Sequence, residues 1–448
     1  MHKNPYIPHS EKDIKEMLKQ IGVSSIDDLF SDLPKQKNSS LNIPDSSDEY
    51  SVFRNLNTLA GRNTSLNDMA VFRGGGIYYH LIPSVVYALA TRHEFLTAYT
   101  PYQAEVSQGT LQLLFEFQTM ISELTGLEVA NSSMYDGASA LAEAALMSVK
   151  ITGKRKVLLA ESVHPEYRDV TKTYCYGQDI EVGAFAYDKE SGQVDPKDLE
   201  SMLNDEISAV AVGYPNFFGV VEDLKALKEA LPKGVLLIAV VNPMALPILE
   251  APGKLGADVV VGEGQPLGNL PNMGGPGFGL FAARKEFIRK MPGRIIGETV
   301  DQDNNTAYAM ILQTREQHIR RDKATSNICS NQAFNALVAS IYMSVMGKEG
   351  LVEVSRRCFD RAHYIHDRTK TMDGLHPVFT GPFFHEFVVR FDDALDRIND
   401  GLLEQKILGP LNISNFYPEL ENCGLICTTE AVPYEDIEFF MARLEEML

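Results

Sequence analysis

The chain has 448 residues, enough for two or three structural units, and its 44% hydrophobic and 23% charged residues are those of an ordinary globular protein. Lys and Arg number 41 against 60 Asp and Glu, and the net charge of −19 excludes nonspecific nucleic-acid binding and adhesion to an anionic membrane surface. No run approaches the roughly 20 apolar residues of a membrane span, and the start MHKNPYIPHSEKD has no apolar leader core, so a cytoplasmic protein is expected.

Ser10 and Asp13 form a capping-box pair before Ile14, Met17, Leu18 and Ile21 at helical spacing, and Gly22 ends that run. A second short helix is expected after Ser25. From Pro34 to Ser47 the chain is polar and broken, so residues 1–70 read as a helical amino-terminal arm that either wraps a partner subunit or folds back on its own chain. Gly74, Gly75 and Gly76 open the next part, and Pro83 marks a helix start.

The stretch YTPYQAEVSQG, Tyr99 to Gly109, is a loop running into a helix. Pro101 fixes its own φ and biases Thr100 toward an extended conformation, so Tyr99 and Tyr102 sit on a stiff segment. Such rings either pack on the core or form a pocket wall. Ser107 is the expected N-cap, Leu111, Leu114, Phe115, Ile121 and Leu124 the apolar face, and Gly126 the stop. A second helix follows Asp136. Its small first residues, Gly137, Ala138 and Ser139, would let an anion approach the backbone N–H groups, but a carboxylate at the N-cap repels phosphate, so self-capping is expected.

From Lys156 near-continuous apolar strands alternate with amphipathic helices, which indicates a mainly parallel sheet covered on both faces, an α/β domain over residues 71–325. Ligands of such sheets lie beyond the carboxyl ends of the strands. Those ends are Gly213-Tyr214-Pro215-Asn216, Asn242-Pro243 and Gly262-Glu263-Gly264-Gln265. Residues 326–448 read as long helices, Asn331 to Met346 and Leu351 to Thr371, then a small α+β domain containing EFVVRF, DDALDRINDGLL, GLICTT and YEDIEFFMARLEEML. The five cysteines, Cys175, Cys329, Cys358, Cys423 and Cys427, imply no disulfide framework, no metal site is expected of Cys423 and Cys427, and all five read as buried or incidental thiols.

Three long stretches, YTPYQAEVSQG, GGPGFGLFAARKEFIRKMPGRIIGETVD from Gly274 to Asp301, and LQTREQHIRRDKATSNICSNQ from Leu312 to Gln332, resemble the amino-terminal half of the glycine dehydrogenase (decarboxylating) family, the P-protein of the glycine cleavage system. The resemblance implies the fold type I architecture of pyridoxal-phosphate-dependent transferases, a large α/β domain with a small carboxy-terminal one. Such an enzyme needs a Schiff-base lysine after a late strand and an acid beside the pyridine nitrogen. Aligned with the catalytic half of the family, the lysine position falls on Gln265 or Pro266, with no lysine between Lys254 and Lys285, and the acid position on Val241 or Asn242. Neither can serve.

The resemblance therefore implies the α subunit of a split P-protein, with pyridoxal 5'-phosphate held by a β subunit in an α2β2 assembly and none on this chain. The reaction implied is decarboxylation of glycine and transfer of its aminomethyl group to the lipoyl arm of the H-protein, with the T- and L-proteins as further system components. Tyr99, Tyr102, Gln103, Glu105 and Gln108 are the residues expected to wall the site or its channel, with Glu105 a proton carrier if burial raises its pKa. The basic run Arg315, His318, Arg320, Arg321 and Lys323 reads either as ion pairs or as a contact for an acidic carrier or a carboxylate, with Arg320, Arg321 and Lys323 the residues to watch. The glycine run Gly274 to Gly279 reads as close backbone packing. Two alternatives stand beside this reading: a self-sufficient pyridoxal-phosphate lyase or transaminase using another lysine, and a purely structural subunit.

Overall fold

A computed structural model describes residues 6, 8–33, 43–96, 103–271, 277–328 and 330–448. By contact the chain divides into two units, Met1–Thr64 and Ser65–Leu448. In the first unit helix Glu11–Ile21 carries the expected Ser10/Asp13 capping box and stops at Gly22, whose φ of +89° suits only a residue without a Cβ. A single 3-10 turn, Asp27–Phe30, follows Ser25, and Asp48 caps helix Glu49–Ala60. None of these elements contains a buried residue. Met17, Ile21, Leu29, Phe30, Phe53 and Leu56 are all exposed.

The second unit is built on a seven-stranded sheet. In spatial order its strands are Val129–Ala130, Gly279–Ala283, Val259–Glu263, Leu236–Val241, Ile207–Tyr214, Lys156–Ala160 and Glu181–Phe185. The last five run parallel, and Gly279–Ala283 is antiparallel to both its neighbours. All eight residues of Ile207–Tyr214 and all six of Leu236–Val241 are buried, as a sheet covered on both faces requires. The alanine-rich helix Gly137–Thr152 packs under it with eleven buried residues, and small side chains are what allow that close approach.

The helix Gln108–Thr125 buries Leu111, Leu114 and Ile121 as expected, while Phe115 and Leu124 are only partly covered and Phe117 joins the core. Ser107 occupies its N-cap position but makes no capping hydrogen bond, because φ −123° and ψ 22° depart from the extended cap conformation. Gly126 stops the helix at φ +72°. Two glutamines on this helix fasten the hairpin Ile295–Val300/Thr306–Ile311. Gln108 accepts from Tyr308 N at 2.8 Å and donates to Tyr308 O at 2.9 Å. Gln118 accepts from Ile296 N at 2.9 Å and donates to Ile296 O at 3.0 Å. Each amide pairs with one residue's backbone as a neighbouring strand would.

The helical run Ala333–Thr369 is two helices broken at Gly347, φ +61°, close to the expected gap between Met346 and Leu351. It leads into a four-stranded antiparallel sheet, in the order Leu375–Pro377, Glu386–Phe391, Cys423–Cys427, Leu411–Asn412. Helices Leu395–Glu404 and Tyr434–Met447 share a core with this sheet, where Phe72 stacks on Phe440 at 3.9 Å. Cys175, Cys358, Cys423 and Cys427 are buried free thiols, whereas Cys329 lies outside the described residues. Among the described residues no helix is long and apolar enough to cross a membrane.

Replacing Gln118 by Leu leaves the buried N–H and C=O of Ile296 without partners. The expected loss is about 2–4 kcal/mol, read from denaturant unfolding, with faster amide exchange confined to the hairpin. An unchanged midpoint would show that the pairing contributes nothing.

Candidate functional site

The parallel strands end at a crevice lined by Gly213, Pro215, Asn216, Asn242, Pro243 and Glu263, the ends marked out from the sequence, together with His164, Tyr167 and Glu386. Gly76 and Tyr78, from a segment that bends at Gly75 and Gly76, also line it. A cavity of about 420 Å3 adjoins, reaching Asp136, Ala138, Gln265 and Gln332. The glycines are needed here. A Cβ on Gly76 would stand 3.0 Å from the His164 ring, one on Gly137 would meet the Tyr167 hydroxyl at 2.5 Å, and Gly75 and Gly76 have φ of +80° and +107°.

Gln265 holds the segment down. Its Oε1 accepts from Tyr78 N at 2.9 Å, and its Nε2 donates to Tyr78 O at 2.9 Å and to Asn269 O at 2.7 Å. The amide is buried, with both its N–H groups donating and its oxygen accepting one bond. Asn242 is likewise committed. Its Oδ1 accepts from Met244 N at 3.0 Å, and its Nδ2 lies 3.0 Å from His385 Nε2, which must accept. His385 is neutral, since burial lowers its pKa to about 3.

Two carboxylates face this region. Glu263 accepts from Gly137 N at 2.9 Å, Phe278 N at 3.0 Å and Gln265 N at 3.1 Å. Gly137 is the first residue of the buried helix, so Glu263 takes one donor of that helix N-terminus, and Asp136 takes another by accepting from Ser139 N at 2.7 Å. The expected self-capping by Asp136 is present. Glu386 accepts from the Tyr78 hydroxyl at 2.7 Å and Gly75 N at 2.6 Å. Burial pushes Glu263 and Glu386 each up to about 7, against the pull of these donors, and raises the Tyr78 phenol.

Behind the segment, His80 Nδ1 lies 2.7 Å from Glu430, which also accepts from Leu81 N and the Cys358 thiol. Burial pushes Glu430 upward, but the His80 charge and these donors outweigh it and hold the acid at about 2. The donor atoms of His80, Cys358 and Glu430 lie within 4.8 Å of one another and could hold a metal ion, although the hydrogen bonds among them already account for their proximity.

Tyr99 and Tyr102 lie outside the described residues, as do Gly274, Gly275 and Pro276 of the glycine run. Gln103 and Glu105 are exposed on and beside the 3-10 turn Ala104–Val106, and Gln108 is spent on Tyr308. None of these three lines the crevice. Arg320, Arg321 and Lys323 are exposed on short turns, while Arg315 is buried and donates to Met291 O and Gly293 O. Glu263 stands at a strand end marked out from the sequence, whereas nothing in the sequence pointed to Tyr78, His164 or Glu386. Nothing local marks a bond from Gly75 to a residue 311 positions away.

The model of the glycine cleavage system P-protein family matches residues 4–444. The chain is 56% identical over 442 residues to the probable glycine dehydrogenase (decarboxylating) subunit 1 of Thermotoga maritima, covering 98% of this chain and 99% of that one. It is 49% identical to the same subunit of Carboxydothermus hydrogenoformans, covering 97% of each. Among solved structures, glycine decarboxylase (P-protein) in inhibitor-bound form matches with a TM-score of 0.90 at 40% identity, over 99% of this chain and 100% of that one. A Lactobacillus brevis glutamate decarboxylase, 12% identical at a TM-score of 0.66, shares the fold alone. The expected fold type I architecture is therefore present.

Glu386 has a folded pKa near 7 against ~4.3 unfolded, so the folded state binds more protons between those values and stability falls as pH rises through that window. Glu263 and Glu222, each also near 7, act in the same direction. Glu386→Gln should remove about a third of the loss in melting temperature between pH 5 and pH 8, if the three acids contribute equally. An unchanged slope would mean that Glu386 is not protonated in the fold.

Proposed function

The chain belongs to the glycine cleavage system P-protein family, and we propose that it serves there as the glycine decarboxylase subunit that holds no cofactor of its own. The observation that carries this reading is Gln265, which with Pro266 is the residue expected at the lysine position and whose amide bonds to Tyr78 and Asn269. Pyridoxal phosphate supplies an aldehyde for an amine, an electron-accepting ring and a phosphate that needs donors. The residues of this crevice fit none of the three. Gln265 cannot form an imine, Asn242 brings no charge to a ring nitrogen, and the Gly137 helix end is taken by Glu263 and Asp136. The cofactor is then carried by a second subunit, and glycine is decarboxylated there, with the aminomethyl group passing to the lipoyl arm of the H-protein.

Two features of this chain support a shared assembly. The described residues of unit Met1–Thr64 include helices with apolar faces and no buried residue, too small a unit to bury a core alone, and a second subunit would cover them. Gln103 and Glu105 are exposed and do not line this chain's own crevice, so in this reading they reach the partner's site as part of its wall, as Tyr99 and Tyr102 are proposed to do. An exposed Glu105 takes up a proton-carrying role only when the partner buries it. In this reading the exposed Arg320, Arg321 and Lys323 contact an acidic carrier.

Glycine-dependent CO2 exchange tests the reading directly. This chain alone should show none with added pyridoxal phosphate, and full exchange should return with the second subunit. Exchange by the chain alone would establish a self-sufficient enzyme. In the reconstituted enzyme Glu105→Gln should lower turnover by about tenfold or more while the complex stays intact on gel filtration. Unchanged turnover would leave this loop a structural role only. Removing residues 1–64 should weaken subunit association without unfolding Ser65–Leu448, and undiminished association would contradict the docking role.

A further inference from the structure

A second cavity of about 420 Å3 lies at the carboxy-terminal end of the buried helix Gly137–Thr152, at the opposite end from the crevice. Lys150, Arg289, Lys290, Arg315, Arg320 and Lys323 line it. In a chain of net charge −19, none of these six forms an ion pair with a described carboxylate. Three are bonded to backbone carbonyls: Lys150 to Thr325 O, Arg315 to Met291 O and Gly293 O, and Arg320 to Thr314 O at 3.1 Å. Arg315 is only 8% exposed and its Nε has no partner. The acids nearby are buried behind the wall: Glu143 accepts from Ser326 Oγ at 2.7 Å, and Glu316 faces His318 at 3.7 Å.

Six like charges gathered around one concavity repel one another, and a cleft of a single sign concentrates counter-ions. Lys150 has a local explanation, since a cation in the last turn of a helix meets the negative end of its dipole, and Arg315 and Arg320 are tied to carbonyls. Arg289, Lys290 and Lys323 form no ion pair with a described carboxylate. The remaining lining, Leu312, Thr314, Ala324 and Thr325, includes no aromatic ring, which is wrong for a base or a coenzyme ring and suits a compact ion. Lysine and arginine together are the usual donors for phosphate oxygens.

We propose that this cavity is a binding site for a compact polyanion of the phosphate class, two or three phosphates in size. Lys290 and Lys323 supply rim charges, Arg315 lies at the buried floor, and the ligand ties the turns between Gln313 and Lys323 to the end of the Gly137 helix. The site is independent of the glycine reading, because binding is read by heat and needs no turnover.

The test is titration calorimetry of the full chain, purified with its second subunit, with orthophosphate, pyrophosphate and tripolyphosphate at fixed ionic strength. One site per chain is expected, with tripolyphosphate about tenfold or more tighter than orthophosphate. The Arg289→Glu/Lys290→Glu variant should lose at least tenfold in affinity while its melting temperature without ligand and its glycine activity stay unchanged. Equal binding by the variant, or no saturable heat from any of the three anions, would overturn the proposal. A preparation inactive toward glycine that still binds tripolyphosphate would leave it standing.

Discussion

The pairing of the Gln265 amide with both backbone groups of Tyr78 is the constraint on which the crevice depends. Only a side chain that accepts and donates from adjacent atoms can satisfy a backbone N–H and C=O together. A lysine at 265 would donate to Tyr78 O but leave Tyr78 N–H buried without an acceptor. The same solution recurs at Gln108 with Tyr308 and Gln118 with Ile296, where glutamines stand in for a strand at places a strand cannot reach. At Gln265 it closes the segment Gly75 to Tyr78 over the strand ends.

With that segment in place the electrostatics follow. The helix N-terminus at Gly137 is an anion site by geometry, and the chain fills it with its own Glu263 carboxylate, while Asp136 caps Ser139. Glu386 performs the matching task for Gly75 N and the Tyr78 hydroxyl. A crevice of the kind that holds a phosphorylated cofactor in related folds is thus built around internal acids. Burial pushes both acids up to about 7, against the pull of the donors they accept from.

Much of this was legible in the chain itself. Apolar runs from Lys156 to Glu263 placed the sheet, Asp136 placed its own capping, Gly22 and Gly126 ended their helices, and the gap beyond Met346 coincided with the break at Gly347. The missing lysine needed no coordinates. What local pattern does not encode is pairing between distant residues: Gly75 with Glu386, Gln118 with Ile296, and the commitment of Gln108 to Tyr308 rather than to a site. Ser107 had the right residue type for a cap but the wrong backbone angles. The basic run was visible as charge. Its cavity draws Lys150, Arg289 and Lys290 from elsewhere, places Arg315 within the protein and leaves Arg321 outside.

In the proposed reading, a chain that keeps the architecture of a cofactor enzyme while filling the cofactor's place with side chains divides labour with a partner. Its own crevice gives rigidity, and its loops and arm give surface. The measurement that tests this most directly is borohydride reduction of the two-subunit enzyme loaded with pyridoxal phosphate, followed by peptide mass spectrometry of both chains. The account predicts a pyridoxyl-lysine on the second subunit and none on this chain, with the peptides around Lys254 and Lys285 unmodified. A pyridoxyl group on a lysine of this chain would contradict it.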